Sequence, residues 1–296
     1  MDILYTPEDR FAKLPDYPYA ARFTEVAGGL RMHYLDEGPA DGRTILLLHG
    51  EPSWSFLYRN MIPPLTRAGF RCIAPDLIGF GKSGKPARQD DYSYAAHLQW
   101  LRTALEDILP GEAVLFCQDW GGLLGLRLLS EQPDRFSAAV AANTFLPSGE
   151  HPMPDAFHQW QAFAKSVPQF PVGNIVNMGT ATALAPEVMA AYDAPFPEER
   201  FKSGARIFPA LVPVSSGEPE ARANREAWKA LQQWEKPFLT LFGDSDPITR
   251  GAEKILQDRI PGAQGQPHAV LEQAGHFIQE DQAQALARHV IAFLTD

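Results

Sequence analysis

Only two of the 296 residues are cysteine, Cys72 and Cys117, and both fall inside short apolar runs. Such a pair makes no disulfide framework, which fits a reducing compartment. Nowhere do 18 apolar residues run together, so no segment reads as a membrane-spanning helix. The opening stretch MDILYTPEDRFAKLPDYPY carries Asp and Glu and has no continuous apolar core, unlike a secretory signal peptide. A cytoplasmic location is the expectation. Positive charge is also scarce: 26 Lys and Arg stand against 36 Asp and Glu, a formal net charge of -10. Nucleic-acid grooves and anionic membranes select clustered Lys and Arg, so neither is an expected partner. Paired-Cys and H-E-x-x-H patterns are missing, and no metal or other cofactor is implied.

What the chain does have is a rhythm of short apolar runs. Ile45 to Leu48, Cys72 to Ala74, Val114 to Cys117, Ala138 to Ala142, Phe238 to Phe242 and Ala269 to Leu271 are separated by helix-sized segments. Runs of this kind are strands buried on both faces, the pattern of a parallel sheet covered by helices. Before them, residues 21 to 36 alternate around Gly28-Gly29 as an antiparallel hairpin. At the far end Ala283, Leu286, Ala287, Val290, Ile291 and Leu294 follow the spacing of one apolar helix face. Between Ala142 and Phe238 the rhythm stops, and a Pro- and aromatic-rich stretch intervenes with helix-sized pieces such as Ala156 to Ser166. The expected fold is α/β, a mostly parallel central sheet flanked by helices. Residues 1–145 and 231–296 form its core, and 146–230 form an inserted helical cap over the carboxyl ends of the strands, where ligands bind in open α/β sheets.

The chemistry gathers at strand ends. Val114 to Gln118 runs into Asp119-Trp120-Gly121-Gly122, which reads as strand, tight turn, helix. In the α/β-hydrolase arrangement the nucleophile sits on such a turn, with small residues two places either side. Here those residues are Cys117 and Gly121, and Asp119 holds the nucleophile's place. An aspartate after a strand is commonly a helix cap, so the rest of the chain has to decide. The order of such a triad is nucleophile, acid, histidine. Asp246 follows the Phe238 run and His276 follows the Ala269 run. Asp244 competes for the acid role, and the spacing after Gly243 favours Asp246. His49-Gly50-Glu51 after the third strand adds a loop whose Glu51 N-H, with the Trp120 N-H, would form an oxyanion hole. Gly79-Phe80-Gly81-Lys82-Ser83-Gly84 matches a dinucleotide pattern, but Asp76 stands where a Walker loop needs Gly and Lys85-Pro86 where a helix would begin. It reads as a glycine loop after the fourth strand.

Asp119-Trp120, His49-Gly50-Glu51-Pro52, Asp246 and His276 together resemble the haloalkane dehalogenases of the α/β-hydrolase superfamily, and the likeness runs over essentially the whole chain. The resemblance implies that Asp119 displaces halide from an sp3 carbon and that Trp120 helps to hold the leaving anion. Where the residue after His-Gly is Glu, as Glu51 is, the resemblance implies a cap Trp as second halide donor, and Phe157-His158-Gln159-Trp160 matches that segment at Trp160. Should Trp160 fail, Trp228 is next. The pocket walls expected around an apolar substrate are Leu123, Phe157, Phe163, Val212 and Ile248. A small haloalkane, water and halide are the implied partners, and the chain is expected to be a monomer.

A carboxylate suits attack on saturated carbon because it needs no deprotonation and yields an ester. His276, oriented by Asp246, would then activate water for hydrolysis of that ester. The main rival, an epoxide hydrolase, shares the Asp-His-Asp set but uses two cap tyrosines, and only Tyr192 lies between residues 146 and 235. A haloacid dehalogenase would carry Arg after the nucleophile to clamp a carboxylate, and an esterase would carry Ser in place of Asp119.

Overall fold

In a computed structural model, residues 1–295 are described. Eight strands build one sheet: β1 Arg22–Val26, β2 Leu30–Glu37, β3 Thr44–Leu48, β4 Arg71–Pro75, β5 Ala113–Gln118, β6 Phe136–Ala142, β7 Phe238–Gly243 and β8 Ala269–Leu271. Their spatial order is β8-β7-β6-β5-β3-β4-β2-β1. The hairpin β1–β2 and the pair β2–β4 are antiparallel, and every other pair is parallel. Gly28 and Gly29 close the hairpin with φ of +84° and +73°, the left-handed backbone that a two-stranded turn of this hand requires.

Every residue of β3, β5 and β7 is buried, because helices cover both faces of the sheet there. Strand β8 departs from that expectation. It sits at the sheet edge with β7 as its one neighbour, and Val270 is 55% exposed, so it is not buried on both faces. Helices α1 Ile62–Arg67, α2 Tyr94–Ile108 and α3 Trp120–Glu131 link the first strands. The segment between β6 and β7 carries α4 Asp155–Ser166, α5 Val172–Met178, α6 Pro186–Asp193, α7 Ser203–Leu211 and α8 Pro219–Leu231, with no strand among its described residues. Finally come α9 Ala252–Arg259 and α10 Ile278–Thr295, the latter kinked at Gln282. The apolar face read from the sequence lies in α10, which begins five residues earlier, directly after the histidine loop.

Two carboxylates of α10 fasten the inserted segment to the sheet layer. Glu280 binds Arg59 Nη2 at 2.8 Å and accepts from the Tyr192 hydroxyl of α6. Asp281 accepts the N-H groups of Ala181 (2.8 Å), Thr182 (3.0 Å) and Gly275 (2.9 Å), tying residues of the insertion to the His276 loop. The last inserted helix, α8, behaves differently: Arg127 of α3 reaches Glu220 and Asn224, so α8 packs on the sheet layer. No helix among the described residues is long and apolar enough to cross a membrane.

Candidate active site

Strand β5 ends at Gln118, and the chain turns at Asp119 with φ 51° and ψ -125° before α3 starts at Trp120. A non-glycine residue in this region costs on the order of 1–3 kcal/mol, held here by its surroundings. The Asp119 N-H donates to the Asn143 carbonyl at 3.1 Å, and Thr144 Oγ1 donates to the Asp119 carbonyl at 2.7 Å. The glycines leave no room for a side chain. A Cβ on Gly121 would stand 2.0 Å from the Leu48 carbonyl oxygen, and one on Gly122 would stand 1.9 Å from Thr144 Oγ1. Gly50 is equally constrained, since its Cβ would fall 2.3 Å from the Asp119 carboxylate.

The three residues singled out in the sequence meet. His276 Nε2 lies 3.4 Å from Asp119 Oδ2, and His276 Nδ1 lies 2.9 Å from Asp246 Oδ2. Asp246 also takes the Ile248 N-H at 2.8 Å and the Thr249 hydroxyl. Burial alone would raise the Asp246 carboxyl, but the His276 charge and these hydrogen bonds outweigh it and hold it below its usual range. For His276, burial alone would lower the imidazole. The charges of Asp246 and Asp119 outweigh it and hold the ring well above its usual value. Asp244, the competitor, is exposed and instead accepts the N-H groups of Gln273 and Ala274, shaping the turn before the histidine.

The Glu51 N-H donates to Asp119 Oδ1 at 2.7 Å. Burial, and then the Asp119 charge, pushes the Glu51 carboxyl well above its usual range, which disfavours a second negative charge beside Asp119. The Trp120 N-H opens α3, where the first amides of a helix have no intrahelical acceptor. His49 is fully engaged, with Nε2 accepting from the Leu77 N-H at 2.9 Å and Nδ1 on the Gly50 carbonyl at 2.9 Å. The glycine loop wraps a buried Asp76, which takes the Ser55 and Lys82 N-H groups and His33 Nδ1.

A cavity of about 550 Å³ opens above Asp119. Leu123, Phe157, Val212 and Ile248 line it, as do Trp120 and Trp160. Phe163 does not. It backs the Trp160 indole with ring centroids 5.8 Å apart, because α4 turns Phe157 and Trp160 inward and leaves Phe163 behind them. Trp120 is packed by Phe208 (4.4 Å) and Tyr94 (5.3 Å). Neither the Trp120 nor the Trp160 indole N-H has an acceptor among the described residues, whereas the Trp228 N-H is spent on the Leu146 carbonyl at 2.8 Å. Trp228 is therefore a structural residue. Trp228→Phe loses one buried hydrogen bond, about 1 kcal/mol, and thermal melting should register a fall of roughly 2–4 °C. Unlike the triad, Gln118, Asn143, Thr144 and Thr249 were not recognisable as site residues in the sequence, where they carry no motif beyond lying near strand ends.

A strained turn-borne acid, a His–Asp pair on later strand ends and a backbone donor after β3 define the α/β-hydrolase class, and residues 43–283 match the alpha/beta hydrolase fold family. The chain is 51% identical over 300 residues to a haloalkane dehalogenase of Psychrobacter cryohalolentis, covering 100% of this chain and 99% of that protein. It is 52% identical over 297 residues to one of Mycobacterium marinum, covering 99% and 100%. Among solved structures, a tetrameric haloalkane dehalogenase from Paraglaciecola agarilytica NO2 superposes with a TM-score of 0.93 at 35% identity, over 100% of both chains. This chain belongs to the haloalkane dehalogenases. The monomer expected from the sequence has no support in that tetrameric relative.

Proposed function

We propose that this enzyme hydrolyses carbon–halogen bonds of small haloalkanes through a covalent ester on Asp119. The observation that carries the reading is the pair of indoles, Trp120 and Trp160, that line the Asp119 cavity with N-H groups uncommitted to any acceptor among the described residues. Indole N-H is donor-only, which suits an anion leaving into a largely apolar space. Asp119 attacks the halogen-bearing carbon, one carboxylate oxygen forming the C–O bond as the halide leaves with the C–halogen electron pair.

The second half-reaction follows from electrostatics. In the free enzyme Asp119 supports a proton on His276, and alkylation removes that negative charge, leaving Asp246 as the charged partner. The imidazole then sheds its proton more readily and accepts one from water, which attacks the ester carbonyl carbon. The oxyanion that forms is held by the Glu51 and Trp120 N-H groups. Collapse breaks the bond from the carbonyl carbon to the alkyl oxygen, the departing oxygen takes the proton from the imidazolium to leave as alcohol, and the acid formed on Asp119 ionises to regenerate the carboxylate. In this reading residues 146–230 act as the cap, and Glu51 with Trp160 supports assignment to the branch that takes its second halide donor from the cap.

The epoxide alternative is not favoured. Tyr192, the sole tyrosine between residues 146 and 235, is buried against Glu280 and does not line the cavity. Purified enzyme given 1,2-dibromoethane and 1-bromobutane is expected to release bromide, and styrene oxide in parallel to yield no diol. Diol formation without bromide release would overturn the reading.

A further inference from the structure

The residue before the nucleophile and the residue after β6 take no part in the steps above, yet both reach the histidine. Gln118 pairs with Ala142 across β5 and β6, so Gln118 and Asn143 bring two carboxamides to neighbouring points on the carboxyl edge of the sheet. Both are wholly buried. Asn143 Nδ2 donates to the carbonyls of Gly275 at 2.7 Å and His276 at 3.1 Å, and Asn143 Oδ1 accepts the Gly243 N-H at 2.8 Å. Its own carbonyl holds the Asp119 N-H. One residue thus touches the nucleophile turn, the end of the strand before Asp246 and the histidine loop. Its φ of 37° lies in the left-handed region, which Asn tolerates better than most residues.

Gln118 Nε2 donates to the same His276 carbonyl at 3.1 Å and stands 3.3 Å from His276 Nε2. The carbonyl contact decides which way the amide faces, since exchanging its O and N would set two acceptor oxygens against each other. A group that can only donate therefore confronts the ring nitrogen that must take a proton from water. The charged or titratable groups around the ring are Asp246 at Nδ1, Asp119 at Nε2, Glu51, whose carboxyl burial pushes well above its usual range, and Asp281 on the Gly275 N-H.

We propose that Gln118 and Asn143 form a carboxamide clamp that positions His276 for ester hydrolysis, with Gln118 favouring a lone pair on Nε2 once Asp119 has been alkylated. The clamp rests on the covalent-ester reading. Both are positioning residues: they act through His276 and leave the attack of Asp119 on substrate untouched. In the free enzyme the Asp119 carboxylate draws a proton to Nε2, and in the ester the Gln118 N-H is what remains facing that nitrogen.

Gln118→Met keeps the length of the side chain and removes its donors. Asn143→Asp keeps tolerance of the left-handed backbone and the acceptor for Gly243, and removes the two donated bonds. Rapid mixing of each full-length variant with excess 1-bromobutane, with the bromide burst and the intact mass followed in time, reads the two half-reactions separately. First-bromide release is expected near the wild-type rate, with ester accumulating because its hydrolysis slows about tenfold or more. In Gln118→Met the midpoint of the hydrolysis pH profile should rise by about one unit, since nothing then opposes the imidazolium. Hydrolysis at the wild-type rate with an unmoved midpoint would overturn the clamp, as would equal losses in bromide release and hydrolysis. If the methionine variant does not fold, Gln118→Glu, which replaces the donors by an acid of the same shape, stands in with the same expected outcome. Failure of the ester reading looks different: a wild-type enzyme whose His276→Ala variant carries no adduct on Asp119.

Discussion

His276→Ala is expected to release one bromide per enzyme from 1-bromobutane and then stop, with one butyl group added to the protein. Asp119 needs no base, because a carboxylate is already ionised and its Oδ1 is oriented by the Glu51 N-H. Removing the imidazole leaves that geometry in place. What disappears is the imidazole whose Nε2 lies 3.4 Å from Asp119 Oδ2, and with it the proposed means of activating water. Intact-mass measurement after brief exposure, followed by peptide mapping to Asp119, checks both the stoichiometry and the site. An unmodified, folded variant under conditions that the wild type turns over would remove His276 from the hydrolytic step. Asp119→Ala should show neither the first bromide nor the adduct.

The two half-reactions should also separate in pH. Alkylation uses the Asp119 carboxylate and no imidazole, so it is expected not to share the acid limb of hydrolysis. Hydrolysis needs a neutral imidazole, so it falls by about tenfold per pH unit below the His276 midpoint in the ester. The sign follows from the charges beside the ring: Asp246 favours the imidazolium, and losing the Asp119 charge on alkylation disfavours it, so the limb in the ester lies below the His276 midpoint of the free enzyme. Steady-state turnover on the acid side then accumulates ester, visible as a larger adduct fraction at lower pH. A burst that shares the acid limb of hydrolysis would mean that His276 acts before the ester forms.

The meeting of Asp119, Asp246 and His276 was legible because each follows an apolar run, and in a parallel sheet every strand end opens on the same rim. Periodicity fixes that much without any knowledge of contacts. Phe163 was misplaced for the opposite reason: on an amphipathic cap helix, apolar spacing shows which residues turn inward, but not which of two stacked rings faces the cavity and which backs it. Strand β8 was legible as a strand and not as an edge, since sheet order is a property of the whole topology. Asn143 and Gln118 were invisible as partners of His276 because their hydrogen bonds span more than 130 residues and depend on β5 and β6 being neighbours. The commitment of Trp228 to Leu146 was hidden likewise, and it alters what a tryptophan scan means.

That scan carries the second large effect, on the halide cradle. If Trp120 and Trp160 both donate to the departing anion, the free enzyme binds bromide or iodide in the same place, and binding perturbs their fluorescence. Replacing either by Phe keeps most of the apolar surface and removes a charge-assisted hydrogen bond, roughly 1.5 to 3 kcal/mol. The expected loss is about ten- to a hundredfold in bromide affinity, with a comparable loss in the alkylation rate because the donor matters most as charge develops. Trp54 and Trp234 are buried away from the cavity, so Trp54→Phe and Trp234→Phe serve as controls with little change in affinity. Trp228→Phe belongs with them, since its N-H already serves Leu146. Bromide titration followed by single-turnover release separates the outcomes. Loss at Trp120 alone would keep the donor beside the nucleophile and dismiss the cap donor. Loss at neither would dismiss the cradle, because a cradle built on these two indoles predicts a loss at each.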